Sequence, residues 1–296
     1  MLDRWERLRA VFVLWTDARR VTRITRRAIA GFLEHEALQY AGAMAYFAML
    51  SLFQVVVLGV LVFSLLIGEG EARQFVVGRL EGAAPLQPGT IGGIVDSILA
   101  ARGGIGLLSA VLLTWGALGF FGALSRGISR AFPMAPPRPF WREKLLAIGL
   151  MALFGGLVLA SVVIGLVTGI LVGLADDVVG GVPGGRRALE LFGLIVPILL
   201  VFVAMVALYR LVPNRPVSLS QIWPGAVVAT VLWTALRVGF TWYATNVAHY
   251  ESAFGPISTA ITLLVFLYFA GVVVLLGAEV ARASLVDDEE ARRRAA

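Results

Sequence analysis

Residues Leu38 to Ile67 read LQYAGAMAYFAMLSLFQVVVLGVLVFSLLI, thirty positions without an acid or a base. A helix rises about 1.5 Å per residue and the hydrocarbon core of a bilayer is about 30 Å thick, so about 20 apolar residues cross it. Core helices of soluble domains rarely run so long without a charge. The stretch predicts a membrane span over about 42–67. Five more follow, at about 105–124, 145–174, 188–211, 223–244 and 257–280. The fold class this implies is an all-α polytopic membrane protein with six transmembrane helices.

Composition agrees. Of the 296 residues 59% are hydrophobic and 15% charged, where soluble domains carry about a quarter charged. The mean hydropathy is +0.86. The 33 glycines suit close helix packing in lipid. With no cysteine, disulfides, thiolate metal sites and cysteine nucleophiles are excluded. The net charge of +6 resembles that of a nucleic-acid binder. Membrane proteins, however, concentrate arginine on their cytoplasmic side, and nucleic acid is not an expected partner. No short apolar core with a small-residue cleavage site marks residues 1–36 as a signal peptide.

Outward from the spans, residues 1–36 form a basic segment with eight arginines. Trp5, Leu8, Phe12 and Trp15 recur there at three- and four-residue spacing. A basic helix with an aromatic face lies in the headgroup layer; the alternative is a solvated helix packed on cytoplasmic loops. Residues 68–104 hold two amphipathic pieces, around Phe75, Val76 and Leu80 and around Ile91, Ile94, Val95, Ile98 and Leu99. Pro85 and Pro88 separate them, which predicts an extracytoplasmic helical hairpin between spans one and two. A basic, proline-broken loop from Arg126 to Lys144 precedes span three. Ser161, Gly165, Gly169 and Gly173 give that span a small-residue packing stripe. Pro197 predicts a kink in span four. At the head of span five, Ser218 and Gln221 have capping-box spacing, with Ser220 a rival cap. Residues 282–296 form a charged tail. The division is therefore 1–36, a transmembrane domain over 37–281, and 282–296.

Basic residues orient the spans. Eight lie in the N-terminal segment, five in loop two–three, two in loop four–five and four in the tail. That places nineteen on one side and five on the other, with Arg237 inside span five. The imbalance predicts both termini in the cytoplasm.

Arg237 is the sharpest chemical signal. It sits about 14 residues, roughly 20 Å, into span five, where an arginine costs about 2.5–3.5 kcal/mol on insertion scales and normally faces a partner or a wet cavity. Gln54 lies at a compatible depth in span one. Thr230, Thr234, Thr241 and Tyr243 add a polar stripe along span five, with Tyr243 the poorest fit. One reading has Arg237 receive an anionic group such as a lipid phosphate, which its planar fork suits. The other has it bonded to carbonyls or reaching for the outer surface, with the stripe merely joining helices. Glu279, an acid within span six, falls near the inner face, too far along the bilayer normal to pair with Arg237. Its expected role is a structural pair with Arg282 or the proline-rich loop, or else proton coupling, and Glu36, Gln39 and Tyr40 are candidate neighbours. The candidate substrate-binding set is thus Arg237, Gln54, Thr234, Thr241, Tyr243 and Glu279. His35 and His249 fall at opposite faces and cannot share a metal. No H-x-x-x-H pattern, acid cluster or nucleophile elbow is present. Neither catalysis nor a metal or other cofactor is expected.

AMAYFAMLSLF in span one, LVPNRPV with WPGAVVATVLW entering span five, and YESAFGPI with LLGAEV at span six together resemble the YihY/BrkB family of bacterial inner-membrane proteins, the UPF0761 group. One member was formerly labelled ribonuclease BN; no residue pattern here supports a nuclease. The resemblance covers nearly the whole chain, with Gln54 standing where the family commonly has proline. It implies a six-helix inner-membrane fold of poorly defined activity, linked to envelope integrity and lipid handling. The function expected is transport or translocation of an anionic lipid or other amphipathic envelope substrate. The alternative is a non-catalytic envelope scaffold acting through residues 68–104. Expected partners are membrane lipids, a second copy of the chain and envelope proteins.

Overall fold

The computed structural model describes residues 20–68, 70, 74, 90–100, 102–132, 139, 141–157, 160, 164, 185–214, 217–246 and 256–295. Among them every regular element is a helix. In chain order these are α1 (Arg20–Glu34), α2 (Ala37–Ile67), α3 (Thr90–Ala100), α4 (Arg102–Ala131), α5 (helical over 141–157), α6 (Gly185–Leu211), α7 (Leu219–Asn246) and α8 (Pro256–Ala295).

Four stretches are long and apolar enough to cross a membrane: Gly106–Ala131, Leu191–Leu211, Leu219–Tyr243 and Ala260–Arg293. α2 runs unbroken for 31 residues, about 46 Å at the helical rise. With Gln54 in place of proline, every backbone N–H in that region can join the helix. α2 stops at Gly68, whose φ of 93° suits glycine alone and whose N–H bonds the Ser64 carbonyl at 3.1 Å.

Helices outlast the apolar spans. α4 continues past 124 to Ala131, so Arg126 and Arg130 ride its last turns rather than a loop. α8 runs 40 residues, through the whole charged tail to Ala295. Charges end a span by staying out of lipid; they do not end a helix. Ser218 is the cap of α7: its N–H donates to Gln221 Oε1 at 2.9 Å, and the Gln221 N–H bonds the Ser218 carbonyl at 3.0 Å. Pro197 lies inside α6. α3 carries the second amphipathic piece of the expected hairpin, with Val95 and Ile98 buried and Asp96 and Ser97 exposed. The first piece, the stripe at Ser161, Gly165, Gly169 and Gly173, and the Trp5–Trp15 face lie outside the described residues.

The chain divides into two compact units, Met1–Leu38 with Ser125–Ala235 and Val272–Ala296, and Gln39–Leu124 with Leu236–Gly271. In the first, α6, α7 and α8 close on Gly225 and Gly277. A side chain at Gly277 would strike the Tyr209 hydroxyl and come within 2.6 Å of Ala229 Cβ. One at Gly225 would press the Gly277 carbonyl and Ala281. Such backbone proximity is how helices associate in lipid, where no hydrophobic gain is available. Tyr209, fully buried, donates its hydroxyl to the Val274 carbonyl at 2.7 Å. In the second unit, Phe47 of α2 stands edge-on to Trp115 of α4, centroids 5.9 Å apart, and Phe240 meets Phe266 at 4.8 Å.

Candidate functional site

α7 carries the candidate cation on an outward face. Arg237 is exposed, as are its neighbours Val231, Val238 and Trp242. Among the described residues no hydrogen bond or ion pair reaches its guanidinium. Gln54, buried in α2, makes no bond to it. The threonines take a different role from a lining. Thr230 donates to the Ala226 carbonyl, Thr234 to Thr230 and Thr241 to Arg237, each at 2.8 Å. These are back-bonds within one helix, a known way of settling hydroxyls in apolar surroundings. Tyr243 stacks its ring at a tilt on Phe240, 6.2 Å away. The stripe therefore gathers around the helix's own backbone, and the charge of Arg237 is what it presents outward.

Glu279 has an opposite setting. It is 2% exposed; Oε1 is bonded to His35 Nδ1 at 2.6 Å, and Oε2 faces Arg282 Nη1 at 3.6 Å. The Arg282 partner was legible from three-residue spacing. His35 was not, being 244 positions away. The available signal was Ala28 and Gly31, small residues on one face of α1, with His35 four residues on in the turn that follows. Among the described residues no third His, Asp, Glu or Cys joins the pair as a metal site would require. Glu36, a candidate neighbour, is exposed and follows His35 with a left-handed φ of 56°.

α1 runs antiparallel to the charged end of α8. Arg20 meets Asp287 and Asp288, Arg23 is hydrogen-bonded to Asp287, and Arg27 reaches both oxygens of Glu290 at 2.9 Å. Ala28, Gly31 and Phe32 are the buried face of α1. In the charged end of α8, past the expected span of 257–280, the Arg23 hydrogen bond holds the Asp287 carboxyl below the usual carboxylate range, outweighing the opposing effect of burial.

Helices that expose Leu194, Leu199, Val231 and Phe269 to their surroundings, at membrane-crossing length, define an α-helical membrane protein. The family profile described as Virulence factor BrkB matches residues 28–296, and the chain belongs to that family. A Bacillus subtilis protein named as ribonuclease-like protein YfkH is 28% identical over 252 residues, covering 83% of this chain and 89% of the relative. A UPF0761 membrane protein of Pseudoalteromonas translucida is 28% identical over 252 residues, covering 81% and 78%. One of Vibrio campbellii reaches 40% over 96 residues, covering 32% and 31%. No solved structure matches the chain. No catalytic family is indicated by these likenesses.

Proposed function

We propose that this chain moves an anionic lipid, or an amphipathic envelope substrate with an anionic head, across the bacterial inner membrane. The arrangement proposed is six spans with both termini in the cytoplasm, the orientation favoured by the nineteen-to-five split of basic residues. The observation that carries the reading is Arg237: an exposed, permanently charged guanidinium on an apolar helix, among Val231, Val238 and Trp242. Among the described residues an arginine so placed has no protein counter-ion, and an anion from outside the chain satisfies it. Phosphate fits, because two parallel N–H donors of the fork meet two of its oxygens. With the α7 hydroxyls bonded to their own helix, recognition rests on charge rather than on a hydroxyl pattern.

Leaflet exchange of a fluorescent phosphatidylglycerol in reconstituted liposomes tests this. The protein should accelerate exchange over empty liposomes, Arg237→Gln should lower the rate about tenfold or more, and Arg237→Lys should fall between. No acceleration by the wild type would reject transport of this class and favour the scaffold alternative.

A further inference from the structure

Glu279 lies in α8 between the buried Ala278 and Ala281, and among the described residues Oε2 has no hydrogen-bond partner. Buried carboxylates are ordinarily supplied with donors at both oxygens. Here α1 passes directly over the unsatisfied one: a Cβ at Gly31 would collide with Oε2 and lie 2.9 Å from Arg282 Nη1. The other oxygen is tied to His35 in the two-residue turn between α1 and α2, and that imidazole is partly open to solvent. The next residue, Glu36, is held left-handed, a conformation that crowds the Cβ of a non-glycine residue against its own backbone. The groups facing the carboxylate are His35 from the turn and Arg282 from α8. From α6, the Tyr209 hydroxyl approaches Gly277 but is committed to Val274. Farther along the seam, Arg20, Arg23 and Arg27 are matched by Asp287, Asp288 and Glu290.

We propose that Glu279 and His35 form a proton-binding site that decides whether α1 is seated on α8. Ionised, the carboxylate accepts the His35 Nδ1 hydrogen and attracts Arg282, and the strained turn is held closed. A proton arriving from water by way of His35 adds to Oε1 and removes the negative charge. His35 and Arg282 then face a neutral acid, the charge attraction that holds the turn at Glu36 closed is gone, and the His35 end of α1 lifts while the Arg20–Arg27 ion pairs act as the hinge. Seating is therefore present when the site is deprotonated and is lost as pH falls.

The cysteine-free chain makes this measurable. Ala28→Cys, on the buried face of α1, is followed by its reaction with a dithiodipyridine, relative to Val21→Cys on the exposed face. In the otherwise native protein the relative rate should rise several-fold from neutral to mildly acidic pH. With Glu279→Gln, which imitates the protonated acid, it should be high and flat across that range. Gly31→Ala, which displaces the carboxylate without altering its chemistry, should also raise the rate at neutral pH. A pH-independent rate in the native background, or full protection of Ala28→Cys in folded Glu279→Gln protein, overturns the proposal.

Discussion

Arg237 and Glu279 are both charges within apolar helices, and they are treated in opposite ways. Glu279 is wrapped: 2% exposed, bonded to His35, beside Arg282, with a glycine of α1 laid over it. Arg237 is left facing outward, and the hydroxyls near it are bonded to their own helix. A charge matched inside the protein stabilises or switches the fold, while one left facing out is available to a ligand. Loss of Glu279 should therefore be felt in stability and loss of Arg237 in binding.

Substitutions can break or sharpen that contrast. The largest effect is expected where packing leaves no room. Gly277→Val forces side-chain atoms onto Tyr209 and Ala229, and should destabilise the first unit by about 3 kcal/mol or more in detergent unfolding. Glu279→Ala leaves His35 and Arg282 facing a cavity, at a cost of about 3 kcal/mol, while lipid binding by the folded protein is retained. Asp287→Asn weakens a seam in which the arginines are partly exposed, so about 1 kcal/mol is expected. Because the folded-state value of Asp287 is lowered, its contribution is present above the unfolded value near about 3.9 and is lost as pH falls through the folded one. Unfolding of Asp287→Asn protein should therefore differ from wild type at neutral pH and converge with it in strong acid. Arg237→Gln should change stability least, by within about 0.5 kcal/mol.

Much of this was legible in the sequence. A run such as Leu38–Ile67 has one physical solution, and Gln54 explains why α2 continues unbroken. Ser218 and Gln221 offered a start for α7 by spacing, with Ser220 a rival, and the Ser218–Gln221 hydrogen bonds decide between them. Helix ends were less legible: Arg126, Arg130 and Asp287 suggested that the helices stop before them, whereas backbone hydrogen bonding continues to Ala131 and Ala295. The polar stripe was visible, but a threonine hydroxyl can turn to a neighbour or back to its own carbonyl, and sequence does not say which. The partner of Glu279 came from a turn set by the left-handed Glu36, a backbone choice that no side-chain pattern announced.

The contrast rests on what Arg237 holds. Native mass spectra of protein released from membranes, wild type beside Arg237→Gln, measure this directly. The account predicts a bound anionic lipid on the wild type and its loss from the folded Arg237→Gln protein. Identical lipid retention in both would contradict it, making Arg237 a structural residue and leaving the outward face of α7 without a ligand.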